Sequence, residues 1–392
     1  MTWPTVPLAG AIVKRRGSVT PQKYPDEEFE LYSVPAFDSR QPDLLAGHAI
    51  GSAKQLVEPG DVLLSKIVPH IRRAWIVGER TDRRMIASGE WIVFKSEEFA
   101  PEYLRHLLLG DEFHARMMQT VAGVGGSLLR ARPEQVGAIM VPLPPLAEQR
   151  RIASILDQAE TLRAKRRETV SRVDELVHAV FLDMFATAGD LWPELTIEEV
   201  AAPRKGSIRT GPFGSQLLHE EFTDDGIAVL GIDNAVRNRF EWARPRFITP
   251  EKYQQLSRYT VYPGDVLITI MGTNGRCAIV PEGIPAAINT KHLCCITLDI
   301  NKVSPVFVHS YFLYHPIARS YLRGKAKGAI MAGLNMGIIK ELPIRLPPLA
   351  LQQDFARRCD AIAAHRTVLS DSLKGADALF VSLQSRASRG EL

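Results

Sequence analysis

The stretch Leu-Pro-Pro-Leu-Ala at residues 143–147 decides the fold, because it recurs at residues 346–350. Each copy stands directly before a long segment that contains no proline. A second stretch, Pro-Gly-Asp-Val-Leu at residues 59–63, recurs at residues 263–267. The two repeats have offsets of 203 and 204 residues and keep their order along the chain. We infer that the chain contains two copies of one unit.

Two earlier matches have a smaller offset. Trp3-Pro4 recurs as Trp192-Pro193, and Gly17-Ser18 recurs as Gly206-Ser207, both at an offset of 189 residues. The offset therefore grows by about 15 residues further along. This difference predicts an insertion in the second copy between Ser207 and Pro263.

Each copy begins with a part that mixes short strands and helices. The pattern of apolar residues after Pro-Gly turns predicts strands, whereas proline followed by apolar residues at helical spacing predicts a helix. The predicted strands are 61–68, 91–94, 265–270 and 294–298, and the predicted helices are Pro101–Thr120 and Pro305–Arg323.

Each copy ends with a long helix whose apolar residues are spaced by three and four. Sustained spacing of this kind predicts a coiled coil, and we expect the two helices to pack antiparallel as a rod of about 50 Å. The alternative is that each helix packs separately on its own domain. The first predicted seam is Ile152, Ile155, Ala159, Leu162, (Arg166, Thr169), Val173, Leu176 and Val180. The second is Phe355, Cys359, Ile362, (Arg366), Leu369, Leu373, Ala376, Phe380, Leu383 and Ala387.

The resulting fold class is α+β, with two similar globular domains separated by two long helices that form an antiparallel coiled coil. The repeat predicts a pseudo-two-fold arrangement. The predicted boundaries are 1–144 for the first globular domain, 145–189 for the first helix, 190–346 for the second globular domain and 347–392 for the second helix.

The composition is that of a globular protein of more than one domain. The 392 residues are 45% hydrophobic and 23% charged, with a formal net charge of +4, which suits an acidic partner such as DNA. Neither a signal peptide nor a membrane span is predicted. The spacing of the four cysteines suits neither zinc nor a disulfide framework, so we expect reduced thiols in a cytoplasmic protein.

No catalytic constellation is visible in the sequence. We find no Asn/Asp-Pro-Pro-aromatic motif and no phosphate-binding loop, since residues 272–276 lack the length and the lysine. His106 and His114 do not have the spacing of a ligand pair. We therefore expect no cofactor, no metal site and no enzyme activity of the chain alone.

The repeated junctions resemble a known family. Residues 141–152, Val-Pro-Leu-Pro-Pro-Leu-Ala-Glu-Gln-Arg-Arg-Ile, resemble the start of the spacer helix in specificity subunits of type I restriction–modification systems. Residues 346–352 form the second junction, with Leu351 where the first copy has Glu148. Residues 209–215, Arg-Thr-Gly-Pro-Phe-Gly-Ser, are similar to an early loop of the family's recognition domain. The first domain lacks this Gly-Pro-Phe-Gly stretch.

The resemblance implies a function without catalysis in this chain. It implies two target-recognition domains that each read one half of a bipartite double-stranded DNA target. It also implies that the helices dock two methyltransferase subunits, which bind S-adenosylmethionine and methylate adenine, and that restriction–translocase subunits can join. The rivals are a tandem-domain scaffold that binds only proteins and an enzyme with a site between its domains. A further alternative is a specificity subunit that serves a complex without translocation, which either only methylates or both cuts and modifies DNA.

Candidate DNA contacts are basic or amide side chains, because these groups reach phosphates and base edges. Residues 237–239 lie in the inserted region, where the copies differ, and residues 324–328 form a flexible basic stretch that suits a phosphate clamp. The spacer-helix cluster 163–167 suits phosphates, the methyltransferase or solvent. The candidates in the first domain are Lys14, Arg15, Arg16, Arg72, Arg73, Arg83 and Arg84. Those in the second domain are Arg204, Lys205, Arg209, Arg237, Asn238, Arg239, Asn274, Arg276, Lys291, Lys325 and Lys327.

Overall fold

The structure is a computed structural model that describes residues 3–14, 16–123, 129–186, 191–273, 275–326 and 333–392. The chain forms two compact units. Unit 1 comprises Met1–Arg167 and Asp371–Leu392, and unit 2 comprises Glu168–Ser370. Each long helix begins in one unit and ends in the other, so each unit contains one half of both helices.

The described residues of unit 1 form twelve strands, three short α-helices and parts of the two long helices. The strands are β1 (Thr5–Pro7), β2 (Ser18–Val19), β3 (Glu28–Tyr32), β4 (Asp43–Ala46), β5 (Lys54–Leu56), β6 (Val62–Ser65), β7 (Ala74–Ile76), β8 (Arg84–Ala87), β9 (Trp91–Phe94), β10 (Val121–Ala122), β11 (Arg130–Ala131) and β12 (Met140–Pro142). The helices are α1 (Pro101–Leu109), α2 (Asp111–Met118) and α3 (Pro133–Gly137), followed by the long helix α4 (Leu146–Phe185).

The described residues of unit 2 form nine strands, five short α-helices and parts of the two long helices. The strands are β13 (Glu194–Thr196), β14 (Ile208–Thr210), β15 (Ile227–Leu230), β16 (Phe247–Ile248), β17 (Val266–Thr269), β18 (Cys277–Ile279), β19 (Ala287–Asn289), β20 (Leu293–Ile296) and β21 (Pro343–Arg345). The helices are α5 (Ile197–Val200), α6 (Pro250–Leu256), α7 (Pro305–Tyr314), α8 (Pro316–Ala326) and α9 (Met336–Lys340), followed by the long helix α10 (Leu349–Arg389).

The sheets of the two units are built alike. In unit 1, β6 lies between β7 and β9, and in unit 2, β17 lies between β18 and β20. Each unit also has one parallel strand pair, β3 with β8 and β15 with β19. Each closes with a two-stranded ladder between its beginning and its end, β1 with β12 and β13 with β21. The mixed architecture confirms the predicted α+β repeat.

The repeated Pro-Gly-Asp sequence forms the same turn twice. Gly60 and Gly264 both have φ of 80°, which a residue with a side chain rarely adopts. Asp61 and Asp265 are both buried, and each accepts a hydrogen bond from the backbone N–H three residues earlier, at 2.9 and 3.0 Å. An arginine pairs with each carboxylate, Arg16 in unit 1 and Arg209 in unit 2.

The single helices predicted at 101–120 and 305–323 are wrong, because each is broken into two. In unit 1 the helix is interrupted at Gly110, between α1 and α2. In unit 2 it is interrupted at His315, between α7 and α8. The residue before a proline disfavours helical backbone, which explains the break before Pro316. Gly110 has extended backbone, with ψ of 150°, so the helix does not continue through it.

A buried glutamine fixes the start of each long helix. Gln149 donates to the carbonyls of Glu98 and Pro144 at 2.7 and 2.8 Å and accepts from the Ala100 N–H at 2.8 Å. Gln352 makes the equivalent bonds to Lys302, Pro347 and Ser304 at 3.3, 2.8 and 2.9 Å. The Leu-Pro-Pro-Leu junction is therefore a hydrogen-bonded joint between the long helix and its globular part.

Within each unit the two long helices pack antiparallel. In unit 1, Arg163 donates to Asp377 at 2.7 Å, and Arg166 donates to the Ser372 carbonyl at 2.7 Å. In unit 2, Arg366 pairs with Asp174. Arg366 and Asp377 lie 203 residues after Arg163 and Asp174, so one ion pair occurs twice with the helices exchanged.

The predicted seam is confirmed for α10 and partly wrong for α4. Every predicted seam position of α10 is buried or half-buried. In α4, the predicted positions Leu162, Thr169 and Leu176 are exposed. Leu156 and Arg163, which were not predicted, are buried and half-buried, and the predicted Arg166 is half-buried. These two arginines occupy the seam because their ion pair and carbonyl bonds satisfy the charged ends while the aliphatic stems pack inside.

The cysteines are free thiols. Cys277, Cys294 and Cys295 are buried, and Cys359 is half-buried in α10. Their burial in the core of unit 2 agrees with the packing role expected for them. No helix among the described residues is both long and apolar enough to cross a bilayer.

Candidate nucleic-acid interface

Three loops of unit 2 meet at one edge of its sheets. They are residues 231–246 after β15, residues 270–273 and 275–276 between β17 and β18, and residues 290–292 between β19 and β20. Thr290 donates to the Leu230 carbonyl at 2.9 Å, and Ile270 donates to the His292 carbonyl at 3.0 Å. We call these residues the loop face of unit 2.

The Gly-Pro-Phe-Gly stretch lies against the same edge. The Gly211 N–H donates to the Thr290 carbonyl at 3.3 Å. A Cβ atom on Gly211 would lie 1.9 Å from the Asn289 carbonyl oxygen, so only glycine allows this approach. Phe213, which is 52% exposed, follows directly. The stretch therefore brings an exposed aromatic ring near the loop face.

The loop face of unit 2 presents positive charge to solvent. Arg237 and Arg239 share the carboxylate of Glu241 at 3.5 and 2.5 Å. Arg276 and Lys291 have no acidic partner within the described part of the chain. Such cations are suited to phosphate contacts.

Three further groups at this face were missed by the sequence analysis. Arg244 is exposed, and Arg246 pairs with Asp233. Trp242 is 56% exposed with its ring 5.3 Å from that of Phe240. Their signal in the sequence was the insertion itself, since all three lie between Ser207 and Pro263.

Asn238 holds this loop in place. Its backbone is left-handed, with φ of 59°, and its Oδ1 accepts from the Cys277 N–H at 3.2 Å. His309 lies 2.9 Å from the Asn238 carbonyl and 3.0 Å from that of Cys277. Burial lowers the pKa of His309, so a neutral ring whose Nε2–H donates to these carbonyls is favoured. Asn238 therefore ties the inserted loop to β18.

Unit 1 has an equivalent loop face. It consists of residues 33–42 after β3, residues 66–73 between β6 and β7, and residues 88–90 between β8 and β9. Ser88 donates to the Tyr32 carbonyl at 3.1 Å, and Lys66 donates to the Glu90 carbonyl at 3.0 Å. These bonds correspond to the two that join the loops of unit 2.

The loop face of unit 1 is largely ion-paired. Arg72 donates to Asp111 and to the Leu109 carbonyl, the latter at 3.0 Å. Arg73 lies 3.7 Å from Asp38. Arg130, which flanks this face, contacts both oxygens of Glu90 at 3.1 Å. The unit 1 face therefore offers less unpaired charge than the unit 2 face.

Several predicted DNA contacts lie away from both loop faces. Arg209 is buried and donates to Asp265 at 2.6 Å and to Thr297 at 2.9 Å, so its contacts give it a structural role. Arg16 has the same role beside Asp61. Arg83 pairs with Glu28 at 2.6 Å. Arg84 pairs with Glu27 and stacks over Tyr24 at 4.1 Å.

The remaining candidates are scattered. Lys14 and Lys205 are exposed, Arg204 lies 5.0 Å above the ring of Tyr262, and Lys325 lies 5.4 Å from that of Tyr321. Arg15, Asn274 and Lys327 lie outside the described residues. Of the eighteen candidates, the structure brings together two on the unit 1 face and five on the unit 2 face, which are Arg72, Arg73, Arg237, Asn238, Arg239, Arg276 and Lys291.

One cluster has the composition of a metal site but is already neutralised. His106 Nε2 lies 2.7 Å from Asp157 Oδ1, with Glu160 nearby. The Arg105 guanidinium contacts both carboxylates at 2.8 Å. Because a cation already occupies the place of an ion between the acids, the geometry suits an ion-paired joint between α1 and α4.

Comparison with known proteins finds a matching sequence profile and several similar proteins. A sequence profile of the type I restriction modification DNA specificity domain matches residues 220–370, which include the loop face of unit 2. The EcoBI specificity subunit of Escherichia coli is 24% identical over 287 residues, covering 64% of this chain and 58% of that subunit. The match thus spans less than two thirds of that relative. The StySPI specificity subunit of Salmonella potsdam is 25% identical, covering 81% of this chain and 72% of the relative.

A solved chain has the same overall fold. It comes from work on complex assembly and conformational transition of the type I R-M system, and it is 18% identical with a TM-score of 0.66. The likeness covers 100% of this chain and 98% of the solved one. Together with the duplicated order and the two junctions, these sequence matches make the chain similar to the specificity subunits of type I restriction–modification systems.

Proposed function

We propose that this chain recognises a bipartite double-stranded DNA target and directs partner enzymes to it. The observation that carries the proposal is the repeated loop face. Each unit brings three loops to one sheet edge with the same hydrogen bonds, while the side chains at the loop tips differ. Two readers of different half-sites need this combination, because side chains at the tips select bases while the frame fixes their position.

The cations of the loop faces supply affinity, and their differences supply specificity. Arg276 and Lys291 are suited to phosphates, because nothing acidic among the described side chains competes for them. Arg237 and Arg239 are suited to base edges, since the Glu241 carboxylate orients both guanidinium groups and arginine reads guanine through two parallel hydrogen bonds.

The long helices set the distance between the half-sites in this proposal. Alpha helices rise about 1.5 Å per residue, and B-DNA rises about 3.4 Å per base pair. Deleting residues 164–170 and 367–373, one heptad at equivalent places in both helices, shortens a rod by about 10 Å. We expect the unread middle of the target to shorten by about 3 base pairs. An unchanged gap in a folded variant would contradict this role of the helices.

The partners follow from the family. We propose that two methyltransferase subunits dock on the helices, bind S-adenosylmethionine and methylate one adenine in each half-site, and that restriction–translocase subunits can join. The chain itself contributes recognition without catalysis, and it works where the chromosome lies, in the cytoplasm.

The salt dependence of DNA binding separates this proposal from a scaffold that binds only proteins. The affinity of the complex for target DNA is measured between 50 and 200 mM salt. A DNA reader with several phosphate contacts loses affinity by about a thousandfold or more over this range. Binding that is weak at every salt concentration, in a complex that otherwise assembles, would support the scaffold.

A further inference from the structure

Unit 1 contains a cavity at a place where unit 2 has packed aromatic rings. The cavity has a volume of about 260 Å³ and lies among α1, α2, β12, the beginning of α4 and the end of α10. Its wall is mostly apolar. The lining includes the side chains of Tyr103, Leu107, Ile152, Leu156, Gln384 and Ser388.

The equivalent place in unit 2 is filled by two phenylalanine rings. Phe181 and Phe185 project from the end of α4 and are 0% and 1% exposed. The Phe185 ring lies 5.0 Å from that of Phe307 and 5.4 Å from that of Phe355. The Phe181 ring lies 6.1 Å from that of Tyr314.

The repeat identifies what unit 1 has in their place. At the offset of 203 residues, Gln384 corresponds to Phe181 and Ser388 to Phe185. At the offset of 204, Gly110 corresponds to Tyr314. Three aromatic residues are thus replaced by small or polar ones.

The walls around these positions also correspond between the two units. Tyr103 and Ile152, which line the cavity, are the counterparts of Phe307 and Phe355, which contact the rings in unit 2. The cavity therefore has the form of a ring-binding site from which the rings have been removed.

We propose that the cavity of unit 1 binds a small molecule that carries an aromatic ring. An apolar cavity of about 150 Å³ is large enough to stay dry and bind benzene. The volume in unit 1 exceeds this. Aromatic rings gain from edge-to-face contacts as well as from burial, and the Tyr103 ring and the aliphatic side chains of Leu107, Ile152 and Leu156 provide such a wall.

Indole is a suitable aromatic probe, and the phenylalanine at the equivalent place in unit 2 indicates which substitution should block its binding. Ligand-observed NMR and thermal unfolding of the full chain are followed as indole is added. We expect saturable binding with Kd on the order of 0.1–1 mM and a rise in Tm on the order of 2–3 °C at saturation. Gln384→Phe places a ring of the chain's own in the cavity, as in unit 2, and we expect it to weaken indole binding about tenfold or more.

Gln384→Ala is the matched control, because it shortens the same side chain and leaves the cavity open. We expect it to bind indole at least as well as the natural chain. If Gln384→Phe does not fold, Ser388→Phe fills the same cavity from the next turn of α10 and carries the same expectation. Failure to bind indole, or equal binding by the alanine and phenylalanine variants, would overturn the proposal.

A final arm of the experiment tests whether a protein partner fills the cavity instead. Indole binding is measured again after the methyltransferase partner has been added in excess. Unchanged indole binding in the complex supports a small-molecule ligand, whereas loss of indole binding would show that the partner covers or fills the cavity and would overturn the proposal. This proposal stands apart from DNA recognition, since the chain alone is tested and no DNA is present.

Discussion

The two loop faces share a backbone and differ in charge. In both units the loop after the parallel strand is joined to the next turn by one hydrogen bond, and that turn is joined to the hairpin by another. In unit 1 the arginines Arg72 and Arg73 face acidic partners. In unit 2, Arg276 is exposed and Lys291 is half-buried, and neither has an acidic partner among the residues that the structure describes. The two units thus share the backbone hydrogen bonds between the loops and differ in the charged side chains that the loops carry.

Some basic residues stabilise the fold of the units, whereas others lie at the loop tips. Arg16 and Arg209 occupy different positions relative to the repeat, since their offset is 193 residues, yet each pairs with the aspartate of the Pro-Gly-Asp turn. The carboxylate of each turn is therefore paired with an arginine, although the two arginines come from different positions of the repeat. Cations at the loop tips do not pair with this turn, so they are free to differ between two readers.

The largest effect is expected from the buried pair of unit 2. Arg209 and Asp265 have side chains 8% and 1% exposed, and removing one partner of a buried pair costs about 3–5 kcal/mol. We expect Arg209→Ala to lower the free energy of unfolding by this amount in guanidinium titrations. In unit 1, the side chain of Arg16 is 21% exposed, and its partner Asp61 also has Lys95 at 3.7 Å. Arg16→Ala should therefore cost less, about 1–2 kcal/mol. Equal losses would contradict the difference in burial.

The next effect tests the part that the units share. Gln149→Leu and Gln352→Leu each leave backbone groups unsatisfied at the start of a long helix, at a cost of about 2–3 kcal/mol. We expect the two losses to agree within experimental error, because the bonds are equivalent. A loss confined to one variant, measured by the same titration, would show that the joints are not alike.

A smaller effect is expected on DNA affinity. The double variant Arg276→Ala with Lys291→Ala removes two unpaired cations and should raise Kd about tenfold or more and lower the salt slope by about 2. The double variant Arg72→Ala with Arg73→Ala removes paired cations and should change Kd about threefold or less. Fluorescence anisotropy of the complex on target DNA measures both.

Lys302→Ala is the matched control for this comparison. Lys302 follows the far end of β20, away from the loop face, and lies 3.6 Å from Asp299. It should leave Kd unchanged. A loss with Lys302→Ala as large as that of the unit 2 double variant would refute the assignment of the loop face.

The smallest effect concerns the helix pair. The hydrogen bond from Arg163 holds the pKa of Asp377 below its ordinary value, with Arg167 adding to this and burial opposing it. A lowered pKa stabilises the fold above the unfolded pKa, about 3.9, and this contribution is lost as the pH falls through the folded pKa. Because Asp377 is 38% exposed, the contribution is about 0.5 kcal/mol.

Urea unfolding at several pH values tests this ion pair. The natural chain should exceed Asp377→Asn in stability at pH 7, and the two should converge below about pH 4. Asp174→Asn, at the equivalent place in unit 2, should show a loss of similar size at pH 7. A difference between natural chain and Asp377→Asn that stays constant down to pH 2 would show that the carboxylate charge is not its cause.

The sequence predicted the repeat and the long helices better than the contacts between side chains. Repeats revealed both units, the long helices and the α10 seam, because hydrophobic spacing and proline placement are local signals. The α4 seam was partly wrong because the analysis chose Leu162 over Arg163. Only the pairing of Arg163 with Asp377, a contact between distant segments, explains why the arginine is inside. The buried pair of Arg209 with Asp265 was also not predicted, since Asp265 is distant in sequence.

Recognition of one half-site by each loop face is the central claim, and methylation mapping tests it most directly. The chain is co-expressed with its methyltransferase partner, and methylated adenines are mapped across a genome, for the natural chain and for a variant in which Arg237 and Arg239 are changed to alanine. We expect a split motif with one methylated adenine in each half, of which only one half relaxes in the variant. A contiguous motif, or relaxation of both halves together, would contradict the claim.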